Sequence, residues 1–283
     1  MKYTFTGKTK KIGKITLQQI KRIKDNKIGG WIESEKNLSQ VGDCWVSDEA
    51  MVYGEAQVYG RARVFSEAQV FSKAQVSGEA SVCGKARVSD EANVYGGAQI
   101  SDEARVFGKA EVSGKARVFG EAQVFGEAKV YDEAMVYDDA TVFDEAKVFG
   151  KAQICGEASV CSEAKVSGEA WVCDETWVFG EARVCGEARV FGEAQVFGEA
   201  KVSGEAEVFG KAKATTLVQN CIINKHNITI SDNCISIGCE NHPIFYWIKN
   251  IEKIGKKNNY NDNEIKAVKH IIHGLLKLRK EQK

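Results

Sequence analysis

The stretch VFGEARVCGEARVFGEAQVFGEAKV, Val178 to Val202, decides the fold, because the same six-residue phrase continues far beyond it in both directions. Stepping by six from Val46, every position to Val208 is Val or Ile, which makes 28 hexapeptides without an insertion or deletion. Four residues after each comes Ala, from Ala50 to Ala212, with Thr176 the single exception. Two residues after each comes Gly, Asp or Ser, and three after comes a charged residue except at Gly97.

These positions have different physical roles. Ala and the next Val are two apart, so on a strand they share one face. They are the only constantly apolar positions, so that face is the interior. The residue between them is mostly polar and points outward. Gly, Asp and Ser accept backbone angles that β-branched residues resist, so the small residue and its charged neighbour mark a corner. A strand this short cannot bury its apolar face alone, but stacked copies can. A helix is excluded, since a period of six does not match 3.6 and recurrent Gly would cost it heavily.

The hexapeptides resemble those of left-handed parallel β-helices, with three hexapeptides to a triangular coil. The expected fold is therefore mainly β: a left-handed parallel β-helix of about nine coils, on the order of 45 Å long at about 4.8 Å per coil. Residues 1–45 read as an N-terminal cap, 46–213 as the solenoid, and 214–283 as a small α+β C-terminal domain. A slip by one coil leaves every core position nearly unchanged, so the flanking segments are expected to set the register and protect the open edges.

Before the repeat stands GGWIESEKNLSQVGDCWV, Gly29 to Val46. With the hexapeptides that follow, this segment resembles the YdcK-type β-solenoid proteins and similar bacteriophage and prophage proteins. Gly29, Gly30, Trp31, Asn37, Leu38, Ser39, Gly42, Asp43, Cys44 and Trp45 carry the match, which covers roughly residues 12 to 213. The resemblance implies a solenoid and a phage or prophage setting. It implies little about activity, because function resides in sites and not in folds.

The net charge is zero, but it is segregated. Residues 1–45 carry 10 basic and 4 acidic groups, residues 46–213 carry 18 and 29, and residues 214–283 carry 11 and 6. An acidic rod is poorly suited to grip nucleic acid along its length. No apolar run reaches the length of a membrane span, and the N-terminus has no apolar signal core, so a cytoplasmic protein is expected. The nine cysteines then read as reduced thiols.

The repeat shows no sign of catalytic chemistry. Hexapeptide acyltransferases, the main enzymatic alternative, use a histidine beside a coil wall and loops that interrupt the repeat. Here all four histidines, His226, His242, His270 and His273, follow the repeat, and no loop interrupts it. No cofactor is implied. Cys221, Cys234, Cys239 and His242 have the spacing C-x12-C-x4-C-x2-H, which supplies one compact pair where zinc motifs have two. Structural thiols are the preferred reading. Cys155 and Cys173 are expected to stack one coil apart.

The position after each Val is the best candidate for a binding surface. It holds 11 Phe, 5 Tyr, 7 Ser and 5 Cys and is expected to point outward. One coil edge collects Tyr53, Phe71, Phe107, Phe125, Phe143, Phe179 and Phe197, and Trp171 and Trp177 add outward aromatics nearby. Such rings either stack along the rod or form an interface. The expectation is a non-enzymatic scaffold acting through a protein partner or self-association, with an acidic DNA mimic as a further alternative.

Past the repeat, LVQNCII, NITI and CISIG read as short strands. Asn241 is expected to cap a helix with Pro243 in its first turn and Ile244, Trp247, Ile248 and Ile251 on one face. A second helix begins near residues 261–263 with a stripe of Ile265, Val268, Ile271, Ile272, Leu275 and Leu278.

Overall fold

A computed structural model describes residues 1–216, 218–223 and 226–281; the side chains at 219, 221–223, 226 and 279–281 lie outside that description. Each hexapeptide forms a two-residue strand, such as Gln123–Val124, followed by a corner. Strands pair in parallel with those 18 residues away: Arg105 and Val106 lie beside Gln123 and Val124, which lie beside Thr141 and Val142. Three strands therefore make one turn, and three parallel walls run the length of the rod. There are about ten turns. The estimate of nine fell short because Ile28–Ile32 and Lys213–Ala214 also join a wall, by pairing with Met51–Val52 and Gln195–Val196.

The interior matches the expected face. Every Ala and Val or Ile of the repeat has an exposure of 0 or 1 %. Thr176 at the exceptional position is equally buried, and its hydroxyl donates to the Cys173 carbonyl at 2.5 Å. The corner residue two after each Val has positive φ in all 28 hexapeptides, whether Gly, as at Gly168 (φ 72°), or Asp, as at Asp132 (φ 61°). The seven corner aspartates have a second role. Each accepts the backbone N–H of the corner one turn on, as Asp132 does from Gly150 at 3.1 Å and Asp174 from Gly192 at 2.9 Å. This bond offsets the cost of a left-handed conformation in a residue with a Cβ.

Charge pairs on the corners also follow the 18-residue spacing: Lys85 to Glu103 at 2.9 Å, Lys109 to Glu127 at 3.1 Å, Lys151 to Glu169 at 2.9 Å. They are exposed and screened by water, so they add little to stability.

Both ends of the stack are closed. Tyr3–Ile12 and Ile15–Arg22 form an antiparallel hairpin whose second strand pairs with Ile28–Ile32. Gly29 and Gly30 let this hairpin close on the first turn. A Cβ at Gly29 would lie 2.7 Å from the Trp45 ring, and one at Gly30 2.6 Å from the Ala50 carbonyl. Buried Asn37 donates to the carbonyls of Gly54 and Ala56, both at 2.9 Å.

At the other end, Gln219–Ile223, His226–Ile230, Cys234–Ile237 and Glu240–Pro243 form an antiparallel sheet. Helices α1 (Ile244–Lys257) and α2 (Asp262–Glu281) pack on it. This module caps the last turn with side chains. Thr229 Oγ1 accepts from Glu207 N at 3.0 Å, Asn233 Oδ1 from Lys213 N at 2.7 Å, and Asp232 from Thr215 N at 2.6 Å.

Two expectations for this module are corrected. Asn241 does not cap α1: it lies in the last strand of the sheet and its amide donates to the Phe209 carbonyl, while Pro243 occupies the N-cap position. The demand of the open solenoid edge for hydrogen-bond partners outweighed a local capping preference. Ile248 does not join the buried face of α1. It is 49 % exposed, and the buried residues are Trp247, Ile251 and Ile254. On α2, Ile265, Val268 and Ile272 are buried, whereas Leu278 is exposed.

Candidate functional site

The aromatic edge is built by the corner geometry. The residue after each Val precedes the left-handed corner and meets its counterpart 18 residues on. Phe107, Phe125 and Phe143 form a continuous stack, with ring centroids 4.7 and 5.1 Å apart and planes 6° apart. Tyr53 stacks on Phe71 at 5.2 Å and Phe179 on Phe197 at 5.0 Å. Buried Ser89 and Cys161 divide the edge into these three groups. Each of the seven rings is half-buried. Stacking hides the ring faces, so this edge is a row of rims. Burial also raises the pKa of the Tyr53 hydroxyl.

Trp171 and Trp177 differ from the stacked rings. They occupy the outward position between Ala and Val in consecutive strands on two walls, and they are 38 and 45 % exposed. Trp171 lies between Gln153 and Arg189, and Trp177 between Ser159 and Gln195. Between the two tryptophans sits Thr176, the only break in the Ala rule. The indole N–H of Trp171 donates to Cys155 Sγ at 3.1 Å. The break in the Ala rule is thus flanked by two exposed tryptophans, whereas Trp31 and Trp45 at the first turn are buried.

The acidic corners form rows as well. Glu127, Glu145, Glu163, Glu181 and Glu199 follow one another at the 18-residue spacing with no basic residue among them. The described histidines, His242, His270 and His273, all lie in the C-terminal module. His242 Nε2 is 2.8 Å from a Glu240 carboxylate oxygen, and His270 Nδ1 is 2.8 Å from the Lys266 carbonyl.

Among the described residues, no group of three or more His, Cys, Asp and Glu side chains is placed to hold a metal ion. Cys234 is buried, Cys239 is exposed, and the Cys221 side chain lies outside the described residues. Nor is any described helix long and apolar enough to cross a membrane.

Tyr59 and Tyr95 are exposed on another coil edge, where serines interrupt the stacking. Two features escaped the sequence reading. Phe245, Tyr246 and Ile248 form an exposed apolar face on α1. A cavity of about 110 Å³ lies between the sheet and the helices, lined in part by Cys239, Glu240, Trp247, Asn258 and Tyr260.

At its rim Glu240 receives hydrogen bonds from Asn258 Nδ2 at 3.2 Å and Lys257 Nζ at 3.0 Å, with His242 close by. These bonds hold the Glu240 carboxyl down at about 2. A carboxylate whose pKa falls on folding stabilises the fold above its unfolded value, about 4.3, and loses that contribution as pH falls toward the folded value. The module is therefore expected to weaken between about pH 4.5 and pH 2, and Glu240→Gln to weaken it at neutral pH while flattening that acid limb. Trp247 fluorescence against pH and urea reads both effects. An unchanged acid limb in the variant would remove Glu240 from the account.

No protein-family model matches the chain, and no curated protein matches it. The fold and the wall geometry define the class: a repeat protein built as a parallel β-solenoid.

Proposed function

We propose that the protein is a non-enzymatic solenoid scaffold that works by contact with another protein chain, a copy of itself included. The observation that carries this reading is the exposed Trp171 and Trp177 pair on either side of Thr176, the one break in the Ala rule. Large aromatic side chains left in water are costly unless an interface covers them, and Trp is enriched at the centres of interfaces. The half-buried rims of Phe107, Phe125, Phe143, Phe179 and Phe197, with Tyr53 and Phe71, extend the contact along the rod. The resemblance of Gly29–Val46 to the opening of similar bacteriophage and prophage proteins supports a phage or prophage origin.

The test is affinity capture from bacterial lysate together with sedimentation velocity on the purified full chain. Wild type is compared with Trp171→Gln/Trp177→Gln and with Phe107→Ser/Phe125→Ser/Phe143→Ser. Gln and Ser already occupy equivalent positions, so both variants are expected to fold. The tryptophan variant is expected to lose at least tenfold in capture or self-association. Loss only in the phenylalanine variant would move the contact to the stacked edge, and retention in both would overturn the reading.

A second reading, an acidic rod that mimics DNA, rests on the unbroken row Glu127, Glu145, Glu163, Glu181 and Glu199. It requires capture of a DNA-binding protein that weakens steeply with salt.

A further inference from the structure

One coil edge contains a pair of thiols where its neighbours contain stacked rings. In order along the rod the edge carries Phe119 stacked on Tyr137 at 5.0 Å, then Cys155 and Cys173, then Phe191 stacked on Phe209 at 4.9 Å. The preceding residues pair in register, Gln153 with Trp171 and Ile154 with Val172, and Cys155 N donates to the Val172 carbonyl at 3.0 Å. The two sulfurs are 2.6 Å apart. A disulfide needs about 2.05 Å between sulfurs and a Cα separation of about 4.4–6.8 Å, and adjacent parallel strands lie about 4.8 Å apart. Closing the bond therefore requires only a small side-chain movement.

No other cysteine of the repeat has a cysteine beside it on its edge. Cys83 lies between Phe65 and Ser101, Cys161 between Phe143 and Phe179, and Cys185 between Ser167 and Ser203. Trp171 covers the pair through its N–H to Cys155 Sγ, and Thr176 fixes the following corner through the Cys173 carbonyl. Cys155 is buried, whereas Cys173 is partly exposed.

We propose that Cys155 and Cys173 form a disulfide site that closes on meeting a low-molecular-weight disulfide, stapling two consecutive turns of the rod beside Trp171. The thiolate of Cys173, the more accessible of the two, attacks one sulfur of the oxidant RSSR and releases RS⁻. Cys155 then gives up its proton and its thiolate attacks Cys173 Sγ in the mixed disulfide, releasing the second RS⁻. The protein dithiol loses two electrons and two protons, and RSSR becomes two RSH. Burial, followed by the Cys155 contact, pushes the Cys173 thiol up to about 12, which slows its attack on the oxidant.

The test treats the reduced full chain with oxidised glutathione under native conditions. The expected product yields one peptide linking Cys155 to Cys173, two hydrogen atoms lighter than the reduced pair and without glutathione on either, and melts several degrees higher, because the bond closes a short loop of the unfolded chain. Cys155→Ser is expected to stop at a glutathione adduct on Cys173, and neither Cys155→Ser nor Cys173→Ser gains thermal stability on oxidation. Serine holds the same ladder position in seven hexapeptides, so both variants should fold. A stable glutathione adduct on wild-type Cys173, a link between other cysteines, or no reaction at either thiol would each overturn the proposal.

Discussion

Deleting Gly120 alone is expected to split the rod, whereas deleting the 18 residues 109–126 is expected to leave a folded rod one turn shorter. The side-chain period of a strand is two, so a one-residue shift turns Val outward and the polar position inward. A two-residue strand with its corner has no slack to absorb the loss, and a turn of the stack is sacrificed. One turn buries three Val or Ile side chains at about 1.5–3 kcal/mol each, so the cost is about 5–9 kcal/mol. That is comparable to the whole stability of an ordinary domain, about 5–15 kcal/mol.

Removing 109–126 keeps every phase. Gly108 is followed by Glu127 in place of Lys109, Ala128 falls where Ala110 stood, and Phe107 comes to stack on Phe143. Urea unfolding followed by circular dichroism distinguishes the two. The 18-residue deletion should unfold in one transition near that of wild type, and the Gly120 deletion in two separated or much earlier transitions. Equal damage from both deletions would contradict the stacked-turn account.

The second large effect falls on a corner. Gly168 has φ 72°, and a Cβ there would lie 2.8 Å from the Gly186 carbonyl oxygen and 2.9 Å from its nitrogen. Gly168→Val combines a left-handed β-branched residue with displacement of the next turn. The left-handed conformation costs about 1–2 kcal/mol and the overpacking about 1–3 kcal/mol, so a loss of about 3 kcal/mol is expected. Gly168→Asp faces the same steric demand, but its carboxylate can accept the Gly186 N–H as Asp132 accepts that of Gly150. Its cost is expected to stay near 1 kcal/mol. Denaturant midpoints of the two variants measure the difference, and similar losses would mean that the aspartate bond contributes nothing.

The repeat was open to sequence reasoning because each of its rules is local. Alternation of Ala and Val fixes which face is buried, and small residues at one phase fix the corners; the 28 left-handed residues found there follow from that phase. The ends were less legible because their residues answer to partners distant in sequence. Asn241 has the chemistry of a helix cap, yet it serves the Phe209 carbonyl of the last turn, 32 residues earlier. Ile248 has helical spacing, but the sheet and α2 select the face that contains Ile254.

The candidate site divides in the same way. The positions of Trp171 and Trp177 could be read from the hexapeptide phase. That Phe107, Phe125 and Phe143 hide their faces against one another is a property of ring orientation, which the phase does not determine. The nearness of Cys155 and Cys173 was foreseeable from their 18-residue spacing, but the 2.6 Å between their sulfurs was not.

Repetition makes the wall, and the proposed contact lies at the break in its Ala rule, Thr176 between Trp171 and Trp177. The most direct measurement is made on a regularised rod carrying Trp171→Gln, Thr176→Ala and Trp177→Gln, compared with wild type for thermal midpoint, sedimentation and protein capture. The predicted result is an equally stable rod that no longer binds. A regularised rod that binds as wild type does would place the function elsewhere and contradict the account.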